Sequence, residues 1–517
     1  AIPNKAAGLN ITNLWSGQTP IEAWHLAHFF LPEDPGSARA LLNNFLDQQA
    51  DNGFIDHKIG LGGQHSGLDA APFLVGLAWK IYTYTQDIAF LREVFRPLMW
   101  HLQSWFLEEH DRDGDGIPEW SNLLQTGYDE NPAFSRWQPW DAGIDIRLVE
   151  SPDLCAYLYR EITLLGKIAG LIGEQTTMTA LEALASNLHT AVQSSWNGRR
   201  PTFQYWDRES HTSAKGETLK ERTGPGEMLL DLVFDLPARL QIRLESQEPP
   251  SPKIEISIHG RLENGQHRVE TITGPDLTWS QDICIYTLPN LYAEIEHLHI
   301  QGLSPEGRAS LQIADLYQED HTLLTPIWAG IPTEEQLNML IERKLQRETA
   351  YGKPYGLPAQ PSPKPKAAEE TGYLIWLPWN AMVAEGLLAY GRVSAAADLF
   401  SRNLAAVIQT LKRENNFRAH YHAEDGSSAG QRNHLIGLPP ISLFLEILGI
   451  RPLSPTKIEV RHTNPFPWPV SIFYRGTTIV CSEEQVTVQF IHAEALTISD
   501  KLPCIVELEL VEAEQAS

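Results

Sequence analysis

Apolar positions recur at helical spacing from Pro20 to about Trp196, in segments parted by short polar breaks. PIEAWHLAHFFL follows Thr19 with a proline at the first helical position, and SARALLNNFLDQQ begins after the breaker Asp34-Pro35-Gly36. APFLVGLAWKIYTYT and DIAFLREVFRPLMWHLQSWFLEEH form a second pair, with Asp87 placed to cap the latter. A third pair runs from Ser151 as PDLCAYLYREITLLGKIAGLI and TMTALEALASNLHTAVQSSW. Short links make each pair antiparallel, and such hairpins in series predict an all-α toroid or bundle.

Beyond Trp206 the period changes to two, in EMLLDLVFDL, ARLQIRLES, KIEISIHGRL, HRVETITG, AEIEHLHIQG and ASLQIADLY. Alternation with polar loops fits an antiparallel sandwich better than a buried parallel sheet. Helical spacing returns in TEEQLNMLIERKLQRE, capped by Thr333, then in WNAMVAEGLLAYGR, SAAADLFSRNLAAVIQTLKRE and PPISLFLEILGI, for roughly ten helices. From Arg451 the tail alternates again. The expected organisation is a helical domain in two parts, 1–206 and 323–450, an inserted β-sandwich, 207–322, and a small C-terminal β-domain, 451–517.

The 517 residues carry 65 acidic against 40 basic side chains, a net charge of -25, and no basic stripe that could neutralise phosphates, which excludes a nucleic-acid partner. No apolar run reaches the roughly 18–20 residues of a membrane span, and AIPNKAAGLN lacks a signal-peptide pattern, so a soluble, cytoplasmic chain is expected. Because it starts without Met close to a helical pattern, it reads as a processed or truncated piece of a longer protein. Cys155, Cys284, Cys481 and Cys504 follow no metal-binding spacing, and a Cys481–Cys504 bridge is open.

Candidate chemistry concentrates in residues 111–134. In DRDGDGIPE the carboxylates Asp111, Asp113, Asp115 and Glu119 fall at near-alternate positions around two glycines, a density of oxygen ligands suited to Ca2+, with the Ile117 carbonyl completing the set and Glu161 a guess for a remote ligand. An acidic surface turn explains the same pattern. Asp129 follows among Tyr128, Phe134, Trp137 and Trp140; a carboxyl in such an apolar setting has a raised pKa and suits a general acid, while an ordinary turn carboxylate is the alternative. The polar, glycine-containing stretch 420–434, read as a loop between helices, offers Glu424, or less favourably Asp425, as a second carboxylate. Trp15, Trp24, His25, Gln125, Tyr128, Trp137, Trp376, Trp379, Asn380 and His434 are candidates to line a sugar subsite at a pocket rim, core packing being the competing role of the aromatics.

DRDGDGIPEW followed by TGYDENP, the VESPDLCAYLYRE helix, LTPIWAGIPTEEQ, IWLPWNAMVAEGLLAYG and AGQRNHLIGLPPISLFLEILGI together resemble the glycoside hydrolase family 63 clan, particularly its mannosylglycerate hydrolase-like and bacterial α-glucosidase-like members. The resemblance implies a mainly α fold, an (α/α)6 toroid, and an inverting hydrolase of an α-linked glucoside or mannoside of a small or short substrate. It places Asp129 on the family's general acid and residues 111–119 on a calcium loop seen in some members. One departure stands out: where the family carries its basic Glu, the run Phe417-Arg418-Ala419-His420-Tyr421 has Ala419. Three readings follow: Glu424 serves as base, phosphate replaces water as in a phosphorylase, or the chain only binds glycans.

Overall fold

The computed structural model describes residues 17–60, 66–136, 138–247, 253–365, 367, 371–454, 456–500 and 502–508. Trp15 and Trp137 lie outside the described residues. Helix α1 (Pro20–Phe30) turns into α2 (Pro35–Leu46), α3 (Leu74–Thr85) into α4 (Ile88–Ser104), and α5 (Pro152–Ile172) into α6 (Gln175–Ser194). α7 (Thr325–Ala329) precedes α8 (Glu334–Leu340), α9 (Leu377–Ala389) turns into α10 (Val393–Glu414), and α11 (Ile441–Leu448) is followed by the strand Ile450–Ser454. Eleven α-helices are thus described, and a strand follows where a twelfth would complete the sixth hairpin.

The caps are local chemistry. Thr19 and Glu22 form a reciprocal capping box at α1, Asp87 accepts from Phe90 N at α4, and Thr333 with Gln336 repeats the box at α8. Helices α1, α3, α5, α7, α9 and α11 touch in that order and α11 returns to α1, which closes a ring. Chain turns at their C-terminal ends are short, whereas the connections to their N-terminal ends are long, so the polar loops gather at one mouth. Five aromatic rings fill the centre. Trp24 packs on Trp328 at 5.3 Å, Phe73 on Tyr157 at 4.7 Å and on Trp328 at 5.6 Å, and Trp379 Nε1 donates to the Tyr157 hydroxyl at 3.2 Å. Offset and edge-on ring pairs of this kind add to the apolar burial.

Residues 217–313 form one antiparallel sheet rather than two separate ones. Its central strands, Gly226–Glu245 and Ile283–Gln301, pair along their length; Arg308–Ile313 and Glu217–Thr223 extend one half, Glu255–Leu262 and His267–Thr273 the other. The segment 234–237 bulges around Pro237 opposite Tyr292–Glu294, so the two expected strands EMLLDLVFDL and ARLQIRLES are one. Bulges bend a strand, and Leu240 and Ile242 from one half share an apolar core with Ile256 and Leu298 from the other.

The tail makes a three-stranded and a four-stranded antiparallel sheet. Its Val460, Ile479 and Val488 belong to the same apolar core as the helical ring. Cys481 and Cys504 are free thiols, so the bridge left open by the sequence does not form. Among the described residues no helix is long and apolar enough to cross a membrane.

Candidate active site

At the long-loop mouth of the ring, a short 3-10 turn (Leu123–Thr126) ends at Gly127, whose φ of 70° leads the chain into Tyr128 and Asp129. A side chain at Gly127 would meet Ile21 Cδ1 of α1 at 2.6 Å, so glycine lets this segment lie against the ring. Tyr128 is buried, with its ring 4.5 Å from His321 and 5.3 Å from Trp376, and Gln360 hydrogen-bonds it. Asp129 itself is exposed. The apolar pocket expected around its carboxyl is occupied by the preceding tyrosine instead, because successive residues of the turn point in different directions.

The turn is held from behind. Asn131 Nδ2 donates to the Tyr205 hydroxyl at 3.0 Å and to Asp320 at 3.1 Å, and Asp320 also accepts from Tyr205 at 2.6 Å and from the Thr322 N–H and hydroxyl at 2.8 and 2.7 Å. Buried carboxylates persist when hydrogen bonds satisfy them. The inserted sheet supports the next stretch: Gln241 donates to the Ala142 carbonyl at 3.2 Å, Arg243 to that of Pro139 at 2.7 Å, and Asp145 N to Thr287 Oγ1 at 3.0 Å. Nothing in sequence spacing singles out Asp320 or Tyr205, since they meet Asn131 only through the fold.

The segment expected as a polar loop is a hairpin. Arg418–His422 pairs with Ser428–Arg432 and, on its other side, with Leu374–Ile375. Alternation along this strand buries Ala419 and Tyr421 and leaves Arg418, His420 and His422 half-buried. His420 lies 4.4 Å from Trp376, and His434 is close enough for its charge to act on both His420 and the buried His25. Burial pushes His25 and His420 down to about 4, so both rings are neutral near pH 7. Trp376 Nε1, His420 Nδ1 and His434 Nδ1 are buried without a hydrogen-bond partner among the described residues. Glu424 sits exposed at the hairpin turn and pairs with Lys353 Nζ at 3.1 Å; Asp425 beside it is exposed as well.

A second cluster brings Asp113, Asp115, Glu150 and His211 together, one ligand atom of each lying within 4.8 Å of the others. His211 Nε2 is 3.0 Å from both Asp115 and Glu150. Burial, and then Asp115 and Asp113, push the Glu150 carboxyl up to about 10, and burial raises Glu119 to about 8. Glu150 and His211 escape a sequence reading because the short pairing of Val149–Glu150 with Trp206–Asp207 brings them to the loop. Glu161 is elsewhere: it accepts from Val75 N at 2.6 Å and Gly76 N at 2.8 Å at the start of α3, which corrects its placement as a remote cation ligand.

Residues 13–240 match the family model for the mannosylglycerate hydrolase MGH1-like glycoside hydrolase domain. That first part of the chain is thus similar to a glycoside hydrolase domain of the family 63 kind. No curated protein matches it significantly. The family 63 mannosylglycerate hydrolase of Thermus thermophilus, solved with glucose, shares the fold at a TM-score of 0.54 and 15% identity, over 86% of this chain and 96% of that one. The same hydrolase with Tris and D-glycerate gives 0.55 and 14%, over 85% and 97%. Neutral trehalase Nth1 from Saccharomyces cerevisiae gives 0.51 and 12%, over 84% and 72%.

Several expected rim residues have structural positions. Trp24 and Trp379 are 1% exposed in the ring centre, and His25, fully buried, donates from Nε2 to the Leu438 carbonyl at 3.1 Å. Gln125 uses its amide on Ser121 N, Asn122 N and the Asp69 carbonyl, and Asn380 bonds both the N–H and the carbonyl of Leu357. Sequence alone leaves these between rim and core, and packing decides for the core. Trp376, Tyr128 and His434 remain at the mouth.

Asp141, missed by the sequence reading, is a buried carboxyl that burial pushes up from 3.8 to about 7. A folded-state pKa above the unfolded one means that the folded chain holds the proton more tightly, so this contribution to stability is complete below pH ~4 and is lost as pH rises through about 7. Urea unfolding of Asp141→Asn should accordingly show a smaller loss of stability between pH 5 and pH 8 than the parent, the difference being at most about 3 kcal/mol.

Proposed function

We propose that the ring of six helices is the inner wall of an (α/α)6 toroid and that the enzyme inverts the anomeric centre of a small or short α-linked glucoside or mannoside. Asp129 protonates the glycosidic oxygen, and a carboxylate across the bond activates water. Glu424, paired with Lys353, is the carboxylate proposed for the second role. The observation that carries the reading is the group of unpartnered polar atoms at Trp376, His420 and His434 beside Tyr128, the residue before Asp129, suited to sugar hydroxyls on an aromatic wall. The Thermus thermophilus relative, solved with glucose and with D-glycerate, supports a small hydroxylated ligand.

The test is a panel of α-linked glucosides and mannosides followed by proton NMR from the first turnovers. The β-anomer should appear first; initial release of the α-anomer would sink the inverting mechanism. Ala419, buried where a basic Glu is expected, favours a second reading in which phosphate attacks directly. Release of a sugar 1-phosphate only when phosphate is present would select it.

The loop 111–119 is proposed to hold Ca2+ through Asp113, Asp115 and Glu150, with Asp111, Glu119 and the Ile117 carbonyl as further oxygen donors and His211 hydrogen-bonding the carboxylates. The residues fit such an ion: Glu150 Oε2, Asp111 Oδ1 and Glu119 Oε1 are buried without hydrogen-bond partners among the described residues. When bound, the ion would offset the mutual repulsion of these groups. Calcium added to chelator-treated protein should raise Tm, by an amount equivalent to about 2.7 kcal/mol at a hundredfold excess over Kd. Glu150→Gln should remove most of that gain, as read by differential scanning fluorimetry.

A further inference from the structure

A cavity of about 570 Å3 lies between the segment 132–141, the turn after α6 and the chain following α8. Arg199, Arg200, Arg343, Lys344, Arg347 and Lys364 line it, with Asp141 and Glu319 as the acidic groups. Such a concentration of positive charge is out of character in a chain of net charge -25. None of Asp129, Trp376, His420 and His434 lines it, so it is distinct from the mouth of the ring.

The partners of these cations matter more than their number. Glu319 is already engaged by Lys344 at 2.6 Å and by Arg200 at 3.5 Å, and Lys364 donates to the Trp140 carbonyl at 2.6 Å. Arg347 Nε donates to the Thr349 hydroxyl at 2.8 Å, a neutral partner. The guanidinium groups of Arg199 and Arg343 have no hydrogen bond or ion pair among the described residues. Arg343 belongs to the π-helical turn Ile341–Leu345 that continues α8, an irregularity that often marks functional positions.

We infer that this cavity binds a phosphate-bearing small molecule, free phosphate or a phosphate monoester. Guanidinium forks match the tetrahedral oxygens, several charge-assisted hydrogen bonds are available at once, and a dianion offsets more of the excess positive charge than a single carboxylate would. The volume is in the range of sites that hold small metabolites. Occupancy would also reach the mouth of the ring, because Gln360 lines the cavity and hydrogen-bonds Tyr128, the neighbour of Asp129. The inference is independent of which glycoside the enzyme cleaves.

Isothermal titration at low ionic strength with inorganic phosphate, glycerol phosphate and glycerol separates the sources. Phosphate or its ester should bind saturably, and glycerol should not. The double variant Arg199→Gln/Arg343→Gln, which touches two exposed side chains, should weaken binding about tenfold or more. Arg92→Gln/Lys412→Gln, an equal charge change on α4 and α10, should leave it within about twofold. Absence of saturable binding, unchanged affinity in the first variant, or equal losses in both would overturn the assignment; unchanged affinity would place phosphate elsewhere, including at the mouth of the ring.

Discussion

Asp129→Asn is expected to lower kcat by about a hundredfold to ten-thousandfold on a substrate whose leaving group needs a proton, with KM changed little. The side chain is exposed at the mouth and the turn that carries it is held through Asn131, Tyr205 and Asp320, so an isosteric change should leave the scaffold intact. An acid acts only as the bond breaks, which is why the loss should fall on turnover rather than binding. Substrates with an activated leaving group need less protonation and should be affected less. Near-normal turnover on an unactivated glycoside would remove Asp129 from the mechanism.

The second large effect is on stability. Beneath the ring centre, at the end with short turns, Lys80 pairs with Glu385 and, at 2.9 Å, with Glu446, while Arg160 lies 3.6 Å from Glu385 and 3.9 Å over the Trp328 ring. Lys80 and Arg160 hold the Glu385 carboxyl well below the usual range against the opposing effect of burial. Glu385→Ala leaves two largely buried cations short of their shared partner and should cost about 3–5 kcal/mol in urea unfolding. Glu385→Gln should cost less, because its amide oxygen still accepts a hydrogen bond. A change under ~1 kcal/mol in the alanine variant would mean that water or Glu446 compensates.

Local features are the legible ones. Thr19, Asp87 and Thr333 can be read as caps because a cap needs only the following three residues. The long strand Gly226–Glu245 reads as two because Pro237 looks like a stop, and a bulge absorbs it instead. Trp376 and Trp379 show the limit for the site: they stand three residues apart at the same helix start, yet one lines the mouth and the other reaches the ring centre. Hydrophobicity predicts that both avoid water, but their depth depends on which neighbouring helices arrive. The acidic loop is visible as a pattern, whereas Glu150 and His211 require two short strands to meet.

The aromatic rings of Trp24, Phe73, Tyr157, Trp328 and Trp379 also decide the traffic of molecules through the protein. They stopper the axis, so a glycan cannot thread from one side to the other, and whatever enters must back out by the same doorway. For the glycosidase proposed above, such a vessel would suit clipping one unit from the end of a short glycoside rather than gliding along a polymer. In the proposed reaction the freed sugar would also compete with the incoming substrate for a single exit.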